Sequence, residues 1–422
     1  MKRAILAIAL LAVAVCWIGE AAAESMFKVS AQVRHRFEAS NRDFNANTAY
    51  NTFNLLRTRL GAEFAPTDDV TGFIQLQDSR WFGQETSTLL DGDANAFDLH
   101  QGYLKIHDLF KAPLDVKLGR MEVNYGEQRL VGAVAWHNIG RAFDGVIFNL
   151  HGKRFSVDLF DMVITDSLMV GDYKDEYFYG IHADIKTNES HKTNVFAFWQ
   201  RKQPRSLLNR VTIGAHLKGN VGGFSYESDL GYQFGDITTF VADSLRTGEG
   251  FVDTTQSVQA YMVTLKLGYT AAHVKTAPAV FAAVDYLSGD DDLSDDTYKV
   301  FDTMYATNHK FYGFMDYFLN IPPNTFFRGL VDIWGRLRAM PLERTPMMLD
   351  FHYFQSPQNV VLSDLSESKK FGTEVDFTLR HVYTENITFT LGAAWFGPGD
   401  VFKDKRGSDS STWFYAMTMF KI

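Results

Sequence analysis

The chain has almost no cysteine. Of its 422 residues only Cys16 is a cysteine, and it lies in an apolar run, residues 4–18, behind a basic start. That order, followed by three consecutive alanines, is typical of a secretory signal peptide. We therefore predict that residues 1–23 are cleaved and that residues 24–422 form the mature protein. Without Cys16 the mature chain has no disulfide, no thiol catalysis and no cysteine metal site.

Proline, long apolar runs and excess positive charge are scarce too. There are 10 prolines and no Pro- or Ser-rich linker, so nothing marks separate domains. After the signal peptide no apolar stretch reaches the roughly 18 residues that a membrane-spanning helix needs. The formal net charge is −9 at pH 7, and we therefore expect no nucleic-acid partner.

Known catalytic motifs are absent. The sequence has no H-E-x-x-H, no G-x-S-x-G and no phosphate-binding glycine loop. We expect no enzyme activity, no cofactor and no metal site, although a barrel enzyme with an active site at its rim stays an alternative. Carboxylates are dense in GDDDLSDD, residues 289–296, which lack the full calcium loop of an EF-hand. We interpret this run as a solvated outer loop and leave Ca²⁺ binding open.

Aromatic residues and alternation are abundant. Aromatics make up 14% of the chain, and many segments of about ten residues alternate apolar with polar side chains. In the first of them Val29 and Val33 share one face, and Arg34 and Arg36 share the other. Strands of this length and pattern are typical of transmembrane barrels, with the apolar face towards lipid. A soluble sandwich also alternates, but its strands are usually shorter.

We predict an all-β fold, a single transmembrane antiparallel β-barrel of about 18 strands with short periplasmic turns and long extracellular loops. The predicted strands are residues 27–38, 53–64, 70–80, 98–107, 113–123, 142–150, 154–164, 177–186, 193–201, 210–218, 223–235, 257–270, 278–288, 327–334, 346–354, 370–381, 386–396 and 412–422. Short turns are expected at 66–69, 152–153 and 219–220. Long loops are expected at 81–97, 236–256, 288–326 and 397–411.

Arginine is concentrated in the first third of the mature chain. Arg57 and Arg59 are two residues apart on a polar face, so their side chains point the same way. Because neighbouring strands lie side by side, we expect the arginines of this region to line one wall of the lumen. Nearby carboxylates would limit the desolvation cost of so many cations. The arginines could bind a passing anion or only brace the wall through ion pairs.

One strand breaks the pattern. Leu114, Val116 and Leu118 have the same parity as Arg120, so an unbroken strand would turn Arg120 towards lipid. We expect a β-bulge at Gly119, because one extra residue reverses the facing and returns Arg120 to the lumen.

Residues 119–145, GRMEVNYGEQRLVGAVAWHNIGRAFDG, resemble the signature block of the alginate-export family of outer-membrane barrels. LLRTRL at 55–60, QLQDSR at 75–80 and NHKFYGFMDYF at 308–318 are similar to other elements of that family. The resemblance implies a monomeric 18-stranded barrel in the bacterial outer membrane. It also implies outward diffusion of an anionic polyuronate through an arginine-lined constriction.

The resemblance and the arginine pattern give a set of candidate site residues and partners. The pore-lining and anion-binding candidates are Arg57, Arg59, Arg80, Arg120, Arg129, Arg141, Asp78, Glu127 and Asp144. The expected partners are an anionic polysaccharide or small anionic solutes, outer-membrane lipid and periplasmic export components. The leading hypothesis is a channel for passive, alginate-type export, and the alternative is a general diffusion porin whose charges set only a transverse field.

Overall fold

Strands account for nearly all regular structure in the computed structural model, which describes residues 26–84, 97–166, 174–204, 208–242 and 251–422. The predicted signal peptide lies outside the described residues and stays a prediction. The strands are β1 (Phe27–Asn41), β2 (Asn51–Thr67), β3 (Val70–Trp81), β4 (Phe97–Ile106), β5 (Leu114–Met121), β6 (Phe143–His151), β7 (Phe155–Thr165), β8 (Lys174–Asn188), β9 (His191–Pro204), β10 (Leu208–Val221), β11 (Phe224–Ala242), β12 (Phe251–Thr270), β13 (Ala279–Leu287), β14 (Thr297–Tyr298), β15 (Leu330–Leu342), β16 (Thr345–Val361), β17 (Glu367–Val382), β18 (Ile387–Pro398) and β19 (Ser411–Lys421).

In the connections that the structure describes, helix occurs as short segments. α1 (Ile321–Asn324) and α2 (Asp400–Lys405) lie in the connections between strands, together with 3-10 turns at Leu109–Lys111 and Asn308–Lys310. None of the helices within the described ranges has the length and apolar composition needed to cross a membrane.

Eighteen strands form one closed antiparallel barrel. Consecutive strands pair with each other, and β1 pairs both with β2 and with the last strand, β19. The extra strand β14 pairs in parallel with β12 and adds nothing to the closure. Each of the 18 predicted strands overlaps an observed strand, so the predicted fold class is confirmed.

Alternation sorts the side chains of each strand between the two faces of the wall. In β1, Val29, Val33 and Phe37 lie exposed on the outer face, whereas Arg34 and Arg36 are buried towards the lumen. This is the expected arrangement for a barrel whose outside meets hydrocarbon and whose inside is polar.

The two rims of the barrel differ. Two-residue turns follow β2, β8, β10 and β15 at one rim, whereas the other carries long connections such as 122–142, 288–329 and 399–410. The chain ends also lie at the short-turn rim, which we take as the periplasmic side.

Two predicted boundaries are wrong. Residues 219–220 belong to β10, and the turn falls at Gly222 and Gly223, whose positive φ angles favour glycine. The predicted loop 236–256 is mostly strand, since β11 runs to Ala242 and β12 begins at Phe251. Threonine is frequent there, and it is polar enough to suggest a loop yet has a high β propensity.

Two long connections fold into the lumen. We call residues 122–142 inward loop 1 and residues 288–329 inward loop 2. Their backbones bond to each other, with Tyr305 N–H donating to Leu130 O over 2.9 Å and Gly132 N–H donating to Tyr305 O over 2.9 Å. Apolar residues of both loops form one buried cluster with inward aromatics of the wall such as Phe178 and Phe354. The lumen is therefore largely filled, and solute can pass only where these loops leave space.

Candidate functional site

A basic wall lines the lumen at β1 and β2. Arg34 and Arg36 on β1 and Arg57 and Arg59 on β2 all point inward, and Arg34 pairs directly with Arg57 across the strands. Each residue is at most 8% exposed. Buried guanidinium groups need hydrogen-bond acceptors, because an unpaired buried charge is costly.

Carbonyl oxygens of inward loop 1 supply most of those acceptors. Arg34 donates to Ala135 O (2.7 Å) and to His137 O (3.1 Å), and Arg57 donates to the same two oxygens at 3.2 and 3.1 Å. Arg36 donates to Trp136 O at 2.6 Å. These arginines thus lie on the lumen side of the wall. Their donors, however, hold a loop and are not presented to solute.

The electrostatic effect of this wall extends to the loop itself. Burial, together with the positive charges of four surrounding arginines, lowers the pKa of His137. The imidazole of His137 is thus kept neutral. The backbone carbonyl of the same residue accepts hydrogen bonds from Arg34 and Arg57. A neutral His137 avoids adding a further cation to the basic wall.

Arg59 is tied into a small polar network. It donates to Gln77 (2.7 Å), to Glu122 at the start of inward loop 1 (2.9 Å) and to Ile139 O (3.1 Å). His100 Nε2 also lies 2.7 Å from Glu122. Burial alone would raise the pKa of Glu122, but the hydrogen bond of His100 and the charge of Arg59 lower it.

The structure contradicts the predicted position of Arg80 and Asp78. Arg80 is the register partner of Leu56 and Asp78 of Thr58, so both have the parity opposite to Arg57. They form an ion pair with each other on the outer face of the barrel. The segment QLQDSR alternates as expected, but its glutamines and Ser79 occupy the inward positions. Asp78 and Arg80 therefore point outward, which is why the prediction failed.

Arg120 and Asp144 are also on the outer face. The β5–β6 register runs from Leu114 to Met121 without a shift, so no bulge occurs at Gly119. Arg120 donates to Asp144 over 2.7 Å, and their side chains are 37% and 56% exposed. Because β5 ends one residue later, at Met121, the pair lies at the end of a short wall. The predicted bulge is therefore absent, and Arg120 faces outward near the end of β5.

Arg129 and Arg141 are structural within the loops. Arg129 is buried, with Asp285 at 2.9 Å and Asp229 at 3.0 Å. Burial alone would lower its pKa, but chiefly the charge of Asp285 raises it. Arg141 donates to carbonyl oxygens of both inward loops, including Gly132 O at 3.1 Å and that of Tyr305. Both guanidinium groups are bound by acceptors of the protein itself, although Arg129 borders the cavity described below.

An acidic wall faces inward loop 2. Met315 N–H donates to Glu374 over 2.7 Å, and Phe314 N–H donates to Asp376 over 3.2 Å. Both carboxylates lie on β17 and are 1% exposed. The wall thus holds the two loops in opposite ways. Backbone carbonyls of inward loop 1 accept from the arginines of the basic wall, and backbone amides of inward loop 2 donate to the carboxylates of the acidic wall.

Trp136 joins the two loops. The Arg36 guanidinium lies 3.9 Å from the centre of its ring, and His309 of inward loop 2 stacks on the ring at 4.5 Å. His309 Nδ1 is in turn 2.6 Å from Asp316. The contact therefore joins the two inward loops next to the basic wall.

The open space lies on the opposite side of that contact. A cavity of about 430 Å³ runs between the inward loops and the wall, and its lining includes Lys266, Lys310, Arg336, Glu127, Glu227 and Asp350. A volume of this size accommodates a small solute or one or two sugar rings.

The cavity carries cations and carboxylates in contact with each other. Glu127 accepts from Lys218 (2.6 Å) and from Lys310 (2.9 Å), and Lys266 donates to Glu227 over 2.5 Å. Burial alone would raise the pKa of Glu127, but the two lysines lower it to about 2. Glu127 is thus a predicted site residue that reaches the cavity, and the buried Arg129 also borders it.

Sequence reasoning missed the exposed cations of the cavity. Lys310 is 42% exposed, Arg336 30% and Lys266 28%, measured on the side chain. Lys266 has the parity of the polar face of its strand and could have been found from alternation alone. The arginine-rich strands and the signature block, by contrast, lie mainly in the other half of the barrel.

Two groups of side chains have ligand types suited to a metal ion. They are Asp108, Asp115 and His151 at the periplasmic rim, and His216, Glu227 and Asp229 in the wall. Lys105 lies 2.8 Å from Asp115, and Arg129 lies 3.0 Å from Asp229. Because protein cations already neutralise these carboxylates, we assign no metal to either group.

The acidic run 289–296 is only partly solvated. Asp290 is fully buried at the start of inward loop 2, whereas Asp291 is 58% exposed. Lys299 pairs with Asp291 at 2.5 Å and with Asp295 at 2.8 Å. The lysine ammonium lies between the carboxylates that a Ca²⁺ ion would need.

Comparisons with known proteins agree with this architecture. Similar solved structures include Acinetobacter baumannii OccAB4 (TM-score 0.60, 9% identity, 94% of this chain and 98% of that one) and Pseudomonas aeruginosa OpdO (0.59, 13%, 94% and 97%). The outer membrane protein opdK of Pseudomonas aeruginosa is also similar (TM-score 0.57, 11% identity, 94% of this chain and 99% of that one). At such identities the likeness concerns the fold alone.

Sequence comparison identifies the family. No curated protein matches the chain. The family model described as alginate export matches residues 26–321, which is more than half of the chain and includes both inward-loop regions up to Ile321. With the closed 18-stranded barrel and its outer-membrane neighbours, this match places the protein in the bacterial outer membrane as a channel-type barrel for solutes. The chain belongs to the alginate export family.

Proposed function

We propose that this barrel is a passive channel for anionic solutes, with an alginate-type polyuronate as the solute. The observation that carries the proposal is the group of exposed cations at the cavity, Lys266, Lys310 and Arg336. An anion that enters the lumen meets these side chains, since the arginines of the basic wall are covered by inward loop 1. The family match supports a polyuronate as the solute.

Ion selectivity depends on the charges that solute can reach. Lys310 and Lys218 share Glu127, and Lys266 and Lys218 share Glu227. A passing carboxylate can therefore replace Glu127 or Glu227 at one lysine, and each lysine keeps an anionic partner. Transfer of an anion between neighbouring cations is a common basis of selective conduction. The passage needs no cofactor and no bound metal in this scheme.

A planar-bilayer measurement tests the proposal. Under a salt gradient the reversal potential of the wild type should show anion selectivity, and added polyuronate should block the current. The variants Lys266→Gln and Lys310→Gln should weaken both effects, because each removes an exposed lumen cation. Arg120→Gln is the matched control, since Arg120 is on the outer face. A wild-type pore that prefers cations and ignores polyuronate would overturn the proposal.

The second candidate function is a general diffusion porin for small solutes. It is favoured by one observation, that every exposed cation of the cavity has a carboxylate partner, such as Asp350 for Arg336 at 2.6 Å. In a porin of this kind the paired charges set a transverse field and small ions of both signs pass. Weak selectivity combined with no block by polyuronate would favour this function.

A further inference from the structure

A row of lysines crosses five adjacent strands near the periplasmic rim. In register, Lys186 of β8 lies opposite Lys192 of β9, and Lys192 lies opposite Lys218 of β10. Lys218 lies opposite Glu227 of β11, and Glu227 lies opposite Lys266 of β12. We call these five residues the lysine row. It contains four cations and one carboxylate at the same level of the wall.

The lysine row faces the lumen. The residues two positions along from Lys192, Lys218, Glu227 and Lys266 have the same facing. They are Asn194, His216, Asp229 and Thr264, and all four are buried inside the barrel. Lys186 and Lys192 themselves are exposed, because β8 ends and β9 begins within two residues of them, at the turn 189–190. Their side chains therefore lie at the periplasmic mouth of the lumen.

This arrangement costs stability. Like charges directly opposite each other on neighbouring strands repel, and the row contains two such pairs in succession. Glu227 and Glu127 compensate Lys218 and Lys266. Lys186 and Lys192, by contrast, have no ion pair with any residue that the structure describes. A ligand with several negative charges would remove the repulsion that the protein itself leaves in place.

We propose that the lysine row is a binding site for a polyanion at the periplasmic mouth, and this rests on the proposed channel function. Neighbouring strands are about 4.8 Å apart, a spacing close to the length of one pyranose ring in an extended polysaccharide. Each lysine can thus meet the carboxylate of a successive uronate residue. A single small anion needs no such row.

The row also leads into the cavity. Lys218 is bonded to Glu127, and Glu127 is bonded to Lys310 of inward loop 2. Lys266 belongs both to the row and to the cavity lining. A chain bound at Lys186 and Lys192 therefore has its next carboxylates beside the cations that select the solute. The site receives the polymer from the periplasm and aligns it with the passage.

Binding of labelled oligogalacturonates of increasing length to the detergent-solubilised barrel tests the site. Affinity in fluorescence anisotropy should rise with length until about four uronates are reached, because several weak contacts then act together. The double variant Lys186→Gln/Lys192→Gln should bind the longer oligomers about tenfold more weakly. Lys275→Gln, in the turn 271–278 of the same rim, is the control and should bind as the wild type does.

Two further readouts separate the possible outcomes. The double variant should be at least as resistant to urea as the wild type, since it relieves repulsion, so weak binding cannot be ascribed to misfolding. In an oriented bilayer, block by the oligomer from the periplasmic side should weaken while chloride selectivity is retained. If the pore is anion-selective but the double variant binds the oligomers as the wild type does, the proposed polyanion site at the lysine row is wrong and the channel function is unaffected. A cation-selective wild type that polyuronate does not block overturns the proposed channel function, whether or not anisotropy still supports the row.

Discussion

At the scale of single residues, the same side-chain type has different roles in different places. Arg57 is 2% exposed and bonded to two loop carbonyls, whereas Arg120 is on the outer face in an ion pair with Asp144. Lys310 is solvated in the lumen. An abundance of arginine therefore does not by itself identify the cations that a solute meets, because buried guanidinium groups are also effective binders of backbone carbonyls.

Replacing Arg57 tests the structural role of the basic wall. Arg57→Ala removes one of the two guanidinium groups that donate to Ala135 O and His137 O, and it leaves both oxygens to Arg34 alone. We expect a loss of about 3 kcal/mol in the free energy of unfolding, together with a larger single-channel conductance as inward loop 1 loosens. Urea unfolding in lipid vesicles and bilayer recording measure the two effects. Arg154→Ala, exposed in the turn 152–154, should change neither.

Glu127 gives a pH dependence with a defined sign. Its pKa is lowered from 4.5 to about 2 in the folded protein, so its stabilising effect is complete above pH 4.5 and is lost as the pH falls towards 2. We expect the wild type to be more stable than Glu127→Gln at neutral pH. That difference should stay constant down to about pH 4.5 and then shrink. Thermal unfolding followed at several pH values measures it, and a difference that grows on acidification would contradict the assignment.

At the scale of elements, the length of a strand decides how far an outward-facing charge lies from the strand end. β5 has 8 residues and β6 has 9, whereas β11 has 19 and β12 has 20. Gly119, next to Arg120, has a φ of +130° and lies against the neighbouring strand, where an added Cβ would be 2.3 Å from Gly102 O. Glycine is required there by close packing and backbone angle rather than by a bulge.

Alanine substitutions compare two glycines, Gly119 of β5 and Gly72 of β3. Gly119→Ala forces backbone movement between β4 and β5, and we expect it to lower the urea midpoint and the yield of folded barrel. In Gly72→Ala the nearest atom to the new Cβ is Phe64 O at 3.9 Å, an ordinary contact, and the strand conformation suits alanine. The control should therefore fold like the wild type. Equal behaviour of the two variants would show that β4 and β5 can separate at little cost.

The strands were predictable and the loops were not, for a physical reason. Alternation is local, so each segment of about ten residues revealed its own strand and facing. The inward course of residues 122–142 depends on contacts such as Arg34 with Ala135, about a hundred residues apart in sequence. No local pattern carries that information. Arg120 was misplaced because the length of β5, and so the distance of Arg120 from its end, was not known.

At the scale of the whole molecule, a negative protein has a weakly positive passage. The net charge of the chain is −9. Arg129 also borders the cavity, but the buried Asp229 and Asp285 neutralise it. Besides Arg129, the cavity and the adjoining wall hold four cations against three carboxylates, an excess of one. The cations are Lys218, Lys266, Lys310 and Arg336, and the carboxylates are Glu127, Glu227 and Asp350. Selectivity that rests on so small an excess depends on fields that salt can screen.

Salt should therefore reduce the selectivity of this channel. The Debye length falls from about 10 Å at 0.1 M to about 3 Å at 1 M, so at high salt an ion in the cavity no longer senses charges beyond its immediate neighbours. We expect the anion preference, measured as reversal potential under a fixed tenfold gradient, to be clear at low salt and nearly lost near 1 M. Flux of an uncharged sugar through the same preparation is the control, because it depends on the width of the cavity and not on its charge. A preference that persists undiminished at 1 M would show that anions bind directly to individual lysines, as in a saturable site, rather than being attracted by the general field of the lumen.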